Sequence, residues 1–327
     1  MQRLAERTFS AEDQARFAAL SGDFNPMHMD AVAARRTAAG APVAHGIHSL
    51  LWLLDTLAGR LPDLPAVAAF KARFSRMVYV GEAAEACLVQ RTDAQLRADV
   101  RVDAATAVQL TLTFGAPAEA EHDDLADAPV MRPPATPLDR VPEEMAKLSG
   151  RLAFHTPAAE LARAFPHAAR LLGAQRVAAL AATTCLVGMV VPGLHSIYGG
   201  LSVTLRREVP DDATIGYRVT AYDERMRLLR QEVMGAGIHA TLETFARQPP
   251  TAQADMAEAA RHVRPDEFAG VSALVIGGSR GLGELTAKLI AAGGGRVCIT
   301  YAHGRADAER VAAEIGAAGG ALHGAAL

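Results

Sequence analysis

The sequence has little cysteine and no excess of charge of one sign. Its three cysteines, Cys87, Cys185 and Cys298, are far apart among 327 residues and lack the paired spacing of a zinc site. They predict buried thiols in a reducing, cytoplasmic compartment, with no disulfide framework and no metal site. The formal net charge is −3. Nucleic acid and anionic membrane surfaces are therefore not expected as partners.

Long apolar runs are also scarce. The N-terminus lacks the apolar region of a secretory signal. One uncharged stretch, residues 177–194, approaches the length of a bilayer span, but it contains two threonines, two glycines and a proline. No second stretch of this kind exists, so the pattern favours a buried helix that leads into a loop over a membrane span, and no membrane partner is expected.

Two shifts in composition divide the chain. The first is rich in proline and acidic residues (116–144), and the second, residues 247–266, contains Pro249-Pro250, which leads into a polar connector. These shifts predict a first domain over residues 1–120, a linker over 121–150, a second domain over 151–247, a connector over 248–268 and a third segment over 269–327.

The first and second domains repeat one order of elements. A helix that starts after Ser10 precedes a second, apolar helix over residues 46–57, and strand-like runs follow. In the first domain these runs are residues 69–80, 84–90, 95–102 and 108–114; in the second, an apolar helix over 177–191 precedes runs over 200–207, 215–223, 227–234 and 238–245. A buried helix followed by antiparallel strands predicts an α+β fold in which a sheet wraps around a helix, and two copies indicate an internal duplication.

The most informative motif is Phe-Ala-Ala-Leu-Ser-Gly-Asp-Phe-Asn-Pro-Met-His, residues 17–28. It places Asp23 and His28 five residues apart, across a turn formed by Asn25-Pro26. A carboxylate beside an imidazole can hold one water molecule, because one group takes a proton while the other gives one. Hydration of a double bond requires such a pair.

Ser21-Gly22-Asp23-x-Asn25-Pro26-x-His28 resembles the signature of MaoC-like, (R)-specific enoyl-CoA hydratases, and Ala44-His45-Gly46 resembles their second landmark. The resemblance covers about the first 115 residues and implies a hot-dog fold that hydrates or dehydrates acyl thioesters.

The resemblance also implies roles for single residues. Asp23 and His28 match the catalytic dyad, Asn25 and Ser21 belong to the substrate loop, and the Gly46 N–H matches the oxyanion hole. An N–H at the start of a buried helix suits that role, because a hydrogen bond and the helix dipole both meet the developing charge. His45 and His48 are expected to be structural.

The second domain contains no Asp-x-Asn-Pro-x-His. We expect it to be a non-catalytic partner that completes a double hot-dog and helps to form the acyl tunnel. The substrate would be a thioester of coenzyme A or of an acyl carrier protein, and the hydratase reaction needs no cofactor. Homodimerisation is left open.

The third segment follows a β-α-β-α order, which is typical of the opening of a Rossmann-like fold. Its turn, residues 276–283, resembles that of short-chain dehydrogenase/reductases, in which Gly277, Ser279, Arg280, Gly281 and Gly283 would bind NADP. Ile276 replaces the usual threonine, and the Tyr-x-x-x-Lys dyad of that family does not occur. We expect the front of a longer reductase domain, with an incomplete site.

Two alternatives to a hydratase share the same fold. A hot-dog thioesterase would hydrolyse the thioester, although hydrolysis does not require the hydratase dyad. A catalytically decayed module would only bind the acyl group beside a 3-oxoacyl reductase.

Overall fold

The computed structural model describes residues 1–37, 39–119, 125–302 and 304–326. The chain divides into two compact units, Met1–Pro249 and Pro250–Leu327. The predicted α+β class is confirmed, since helices and a mostly antiparallel sheet share the first unit.

The first unit holds eleven described strands and eight described α-helices. The strands are β1 (Gln2–Thr8), β2 (Val67–Phe74), β3 (Ala83–Arg91), β4 (Gln95–Val102), β5 (Ala105–Phe114), β6 (Val130–Met131), β7 (Ser149–Ala153), β8 (Ser196–Leu205), β9 (Thr214–Asp223), β10 (Leu228–Gly235) and β11 (Ile238–Ala246). The helices are α1 (Ala11–Ser21), α2 (Pro26–Met29), α3 (Ala31–Arg35), α4 (Gly46–Arg60), α5 (Pro142–Met145), α6 (Ala158–Ala164), α7 (Pro166–Leu172) and α8 (Ala174–Cys185), which continues as a π-helical turn, Leu186–Val190.

All eleven strands belong to one sheet, in the order β1-β3-β4-β5-β2-β8-β11-β10-β9-β7-β6. The pairing of β2 with β8 joins the two sequence repeats, and its antiparallel register runs from Ala69 opposite Thr204 to Arg73 opposite Gly200. The first repeat therefore supplies one half of the sheet and the second repeat supplies the other. Neither half has an open edge at the junction, where unpaired backbone N–H and C=O groups would otherwise face water.

Two buried helices lie against this sheet. Every residue of α4 from Ile47 to Leu54 is buried, and so is every residue from Val177 to Val190 in α8 and its π-helical extension. Both helices belong to the same hydrophobic core. Their sequences lack a polar stripe because each is covered on all sides.

No single helix within the described parts of the chain is long and apolar enough to cross a membrane. The helices Pro166–Leu172 and Ala174–Val190 pass such a test only as a pair, by length and composition, and they are bent by 110° with respect to each other.

In the first unit the predicted strands and helices exist, with bounds that differ by a few residues, but the strands β1, β6 and β7 and the short helices α2, α3, α5, α6 and α7 were not predicted. β1 has a mostly exposed, polar sequence, and it is held as an edge strand by pairing with β3. β7 is only five residues long and pairs with β9. The predicted linker contains β6 and α5 in its described part, while residues 120–124 lie outside the described residues.

The second unit is a parallel three-stranded sheet in the order β12-β13-β14, with three helices. Its elements are α9 (Met256–Ala260), β12 (Ser272–Val275), α10 (Gly281–Ala292), β13 (Arg296–Tyr301), α11 (Arg305–Ala317) and β14 (Ala321–Ala326). The predicted connector packs onto this unit, because the buried Lys288 ammonium donates to the Ala254 carbonyl and pairs with Glu284 and Glu314.

Candidate active site

A short loop between α1 and α2 carries the predicted dyad. Ser10 and Asp13 form a capping box at the start of α1, and Gly22 ends that helix in the left-handed conformation, with φ at 81°. A Cβ at Gly22 would lie 2.8 Å from the Cβ of His155, so glycine is needed for space as well as for conformation. Asn25 then caps α2 by accepting the Met27 N–H.

The Asp23 side chain is buried, with 2% of its surface exposed. Its Oδ2 accepts a hydrogen bond from the Thr184 hydroxyl at 2.7 Å, and its Oδ1 accepts the Asn25 N–H at 3.1 Å. Burial raises the pKa of Asp23, whereas His28 and these two donors act in the opposite direction. Asp23 is thus a carboxyl group whose charged and neutral forms are closer in free energy than they would be in water.

The His28 ring is held in one tautomer. Its Nδ1 lies 2.8 Å from the Val43 carbonyl oxygen, which can only accept, so Nδ1 carries the proton and Nε2 has a free lone pair. Burial lowers the pKa of His28, while Asp23 and the Val43 carbonyl act in the opposite direction. A neutral imidazole with an unprotonated Nε2 can act as a general base.

Asp23, His28 and His45 each offer an atom that could bind a metal, and these atoms lie within 4.8 Å of one another. The His45 Nε2 is nevertheless 3.9 Å from Asp23 Oδ2 and 3.0 Å from the Asp23 carbonyl oxygen. Nitrogen and oxygen ligand atoms lie about 2.0–2.2 Å from a tetrahedral zinc ion, so two ligand atoms of one ion are less than 3.9 Å apart. The arrangement fits a hydrogen-bonded cluster better than a metal centre.

The second sequence repeat forms the floor beneath this loop. Asn25 Nδ2 donates to the Gly188 carbonyl at 2.9 Å and also approaches the carbonyls of Gly193 and Leu194. A Cβ at Gly188 would lie 2.2 Å from Asp23 Oδ1. The carboxylate therefore packs directly on the backbone of the π-helical turn, where only glycine leaves room.

Gly46 is the first residue of α4, beside the dyad. Its N–H has no hydrogen-bond partner among the described residues, and it lies where the helix dipole favours negative charge. Ser21, in contrast, is buried at the end of α1, and its Oγ accepts the Asp23 N–H at 3.2 Å. Its hydroxyl thus contacts the loop backbone.

A cleft opens onto these groups, and its walls are mainly apolar. Phe74 and Tyr198 meet there edge to face, with ring centroids 5.2 Å apart. The cleft is lined by Asp23, Met27, His28, Val43, Ala44, Gly46, Ser49, Phe74, Ser75, Arg76, Met77, Val78, Val108, Thr184, Val187, Gly188, Ser196, Ile197 and Tyr198. Both repeats contribute to it.

Thr184 and Gly188 were not predicted as site residues. Neither lies in a motif, and their proximity to Asp23 depends on the packing of α8 against α1. Two histidines of the second repeat have packing contacts: His155 lies against Gly22 and Phe24, and His195 lies 3.5 Å from Asp139.

In the second unit, the predicted glycine turn joins β12 to α10. Gly277 and Gly281 have positive φ values of 76° and 58°. A Cβ at Gly283 would lie 2.4 Å from the Gly277 carbonyl oxygen. Ser279 is buried, and Arg280 precedes the first residue of α10. These residues therefore form one strand-to-helix turn that requires glycine at three positions.

Residues 1–111 match the family model of the MaoC-like domain. The match covers 111 of the 327 residues. The chain is 37% identical over 81 residues to the (R)-specific enoyl-CoA hydratase of Aeromonas caviae, which is 24% of this chain and 60% of that protein. The chain thus spans less than two thirds of the length of that relative.

Two solved structures are also similar. A MaoC-like dehydratase has 12% sequence identity and a TM-score of 0.46, covering 73% of this chain and 95% of its own. The (R)-hydratase from A. caviae that is involved in PHA biosynthesis has 30% identity and a TM-score of 0.29, covering 34% of this chain and 92% of its own.

Replacing Gly188 with alanine should destabilise the first unit by about 1–3 kcal/mol, because the new methyl group would overlap the Asp23 carboxylate. Urea unfolding measures this change. Gly316→Ala is the control, since a Cβ there meets nothing within 4 Å in a helix, and it should be neutral or stabilising by up to about 1 kcal/mol. Equal stability of Gly188→Ala and the wild type would contradict the close packing.

Proposed function

We propose that the first unit is a double hot-dog hydratase that adds water reversibly to trans-2-enoyl thioesters and gives (R)-3-hydroxyacyl thioesters. The observation that carries this proposal is the buried pairing of Asp23 with an Nδ1-protonated His28, at the wall of a cleft that also presents the Gly46 N–H. The match of residues 1–111 to the MaoC-like family model and the similarity of 81 residues to an (R)-specific enoyl-CoA hydratase support the same reaction.

The chemistry follows from the hydrogen bonds. A water molecule between Asp23 and His28 would lose a proton to the dyad as its oxygen bonds to C3, and the dyad would return a proton to C2. No net proton is taken up. The thioester oxygen gains negative charge as the enolate forms, and the Gly46 N–H is free to donate to it.

The acyl chain would occupy the apolar part of the cleft. Valine, phenylalanine and isoleucine side chains from both repeats form these walls, so the second repeat contributes to substrate binding as well as to the environment of Asp23. Coenzyme A and an acyl carrier protein present the same thioester and pantetheine, and the proposal covers both carriers.

A thioesterase remains the alternative, because its substrate would fit the same cleft. Hydrolysis releases a free thiol, whereas hydration consumes the conjugated double bond and leaves the thioester intact. A short enoyl-CoA therefore distinguishes the two reactions when enoyl absorbance and free thiol are followed together. A decayed acyl-binding module would change neither signal.

Asp23→Asn and His28→Ala should each lower kcat for crotonyl-CoA hydration by about 10²–10⁴-fold, because each removes one proton-transfer group. Loss of enoyl absorbance measures the rate, and circular dichroism checks folding. Asp63→Asn and His262→Ala are matched controls with exposed side chains, and both should keep wild-type rates. Normal turnover by either folded dyad variant would rule out the mechanism.

Thr184→Val should move the acid limb of the kcat/KM profile to higher pH. The Thr184 hydroxyl favours ionised Asp23 and lowers its pKa, so removing that donor raises the pKa and the carboxylate is lost at a higher pH. Thr183→Val is the control, since the neighbouring hydroxyl donates to Leu180 and not to Asp23. An unchanged or lowered limb in Thr184→Val would contradict this assignment.

We further propose that the glycine turn of the second unit holds the pyrophosphate of NADP. The positive φ values of Gly277 and Gly281 and the close approach at Gly283 fit such a cradle. A bound nicotinamide would supply hydride, but the sequence contains no Tyr-x-x-x-Lys to position a reducible carbonyl group.

Titration should accordingly show NADPH binding more tightly than NADH, without oxidation when a 3-oxoacyl thioester is added. Fluorescence of the reduced nicotinamide measures both the binding and the oxidation. Gly281→Val should weaken binding by at least about tenfold, because valine does not tolerate a positive φ. Substrate-dependent oxidation, or no binding of either nucleotide, would contradict the proposal.

A further inference from the structure

His45 contacts both members of the dyad, although the mechanism above assigns it no proton transfer. Its side chain is completely buried. The Nε2 atom lies 3.0 Å from the carbonyl oxygen of Asp23, and the ring stacks on His28 with centroids 3.8 Å apart and planes inclined by 25°. His45 thus contacts the main chain of one catalytic residue and the ring face of the other.

The proton on His45 can be assigned from its neighbours. Gln14 Oε1 lies 2.9 Å from His45 Nδ1, so each ring nitrogen faces an oxygen. Burial and the neighbouring His28 hold the pKa of His45 well below its usual range, so the ring is neutral and has one proton for two acceptors.

The two acceptors differ in their other partners. Gln14 Oε1 also accepts the backbone N–H of His45, at 3.0 Å. The Asp23 carbonyl has no other donor among the described residues. A buried carbonyl without a partner is unfavourable, so we place the proton on Nε2, where it donates to the Asp23 carbonyl, and Nδ1 then faces Gln14 Oε1 without a proton between them.

We infer that His45 is a positioning residue, which holds the Asp23 main chain through its Nε2–H and thereby sets the carboxylate relative to His28. This inference rests on the proposed hydratase function. The carboxylate oxygens are fixed by Thr184 and by the Asn25 N–H, but neither bond fixes the Asp23 carbonyl. The Asp23 N–H donates to Ser21 Oγ at 3.2 Å, and the His45 bond restrains the other end of the residue, its carbonyl.

Two substitutions separate the hydrogen bond from the stacking. His45→Phe keeps an aromatic ring against His28 and removes the donor. His45→Gln removes the ring and keeps an amide N–H that reaches about the same position as Nε2. If the donor positions Asp23, the phenylalanine variant should lose about 30–100-fold in kcat with KM within about threefold, because small displacements of a catalytic group reduce turnover strongly. The glutamine variant should stay within about tenfold of wild type.

His48→Phe is the matched control. His48 is also a buried histidine of α4, and it stacks on Phe17 with centroids 4.5 Å apart, yet its Nδ1 has no hydrogen-bond partner in the described structure and it does not line the cleft. Its kcat should stay within about threefold of wild type. Circular dichroism and the melting temperature establish that each variant is folded.

The kinetic outcomes are decisive in both directions. A kcat below wild type in His45→Phe, recovered in His45→Gln, supports the inference. Near-normal turnover in folded His45→Phe, or an equal loss in both variants, overturns it. A change in KM without a change in kcat also overturns it, because His45 would then contribute to substrate binding and not to the position of Asp23.

A second readout does not depend on turnover. In protein labelled with ¹⁵N-histidine, the His45 Nε2 should carry a slowly exchanging proton, whose signal disappears in His45→Gln. If the wild type hydrates no enoyl thioester, the proposed function fails while this signal still tests the hydrogen bond. Its absence from the folded wild type overturns the positioning role.

Discussion

The burial of one carboxylate is the constraint on which the site depends. Asp23 is almost fully removed from water, and an isolated ionised carboxylate there would be unfavourable by several kcal/mol. Donors from two separate parts of the chain offset this penalty, the Asn25 N–H within the loop and the Thr184 hydroxyl from α8. Charge-assisted hydrogen bonds of this kind contribute about 1.5–3 kcal/mol each. These donors favour the ionised form of Asp23, whereas burial favours the neutral form.

This constraint also explains why the second repeat is needed although it has no dyad of its own. Its π-helical turn lies beneath the carboxylate at Gly188, and the carbonyls of that turn and of the following loop accept the Asn25 side chain. The pairing of β2 with β8 fixes the two repeats in one sheet. A single repeat would leave Asp23 without the hydroxyl that stabilises its charge.

Local features could be predicted from the sequence, whereas features that depend on the packing of distant segments could not. Capping residues, the Asn25-Pro26 turn and the apolar period of the strands all act over a few residues, and they placed Asp23, His28 and Gly46 beside one cleft. Thr184 lies 161 positions from Asp23 and belongs to an apolar helix, where a threonine has no distinguishing pattern. β1 was missed for a related reason, because pairing with β3 and not its own periodicity makes it a strand.

The same burial acts in opposite directions on the two catalytic groups. It raises the pKa of the acid Asp23 and lowers the pKa of the base His28, because both shifts disfavour the charged form. In water these two pKa values differ by about 2.6 units, which corresponds to about 3.5 kcal/mol. The opposite shifts act against that difference, because burial disfavours the charged form of each group. Burial by the second repeat thus has a chemical consequence, since it shifts the proton affinities of the acid and the base in opposite directions.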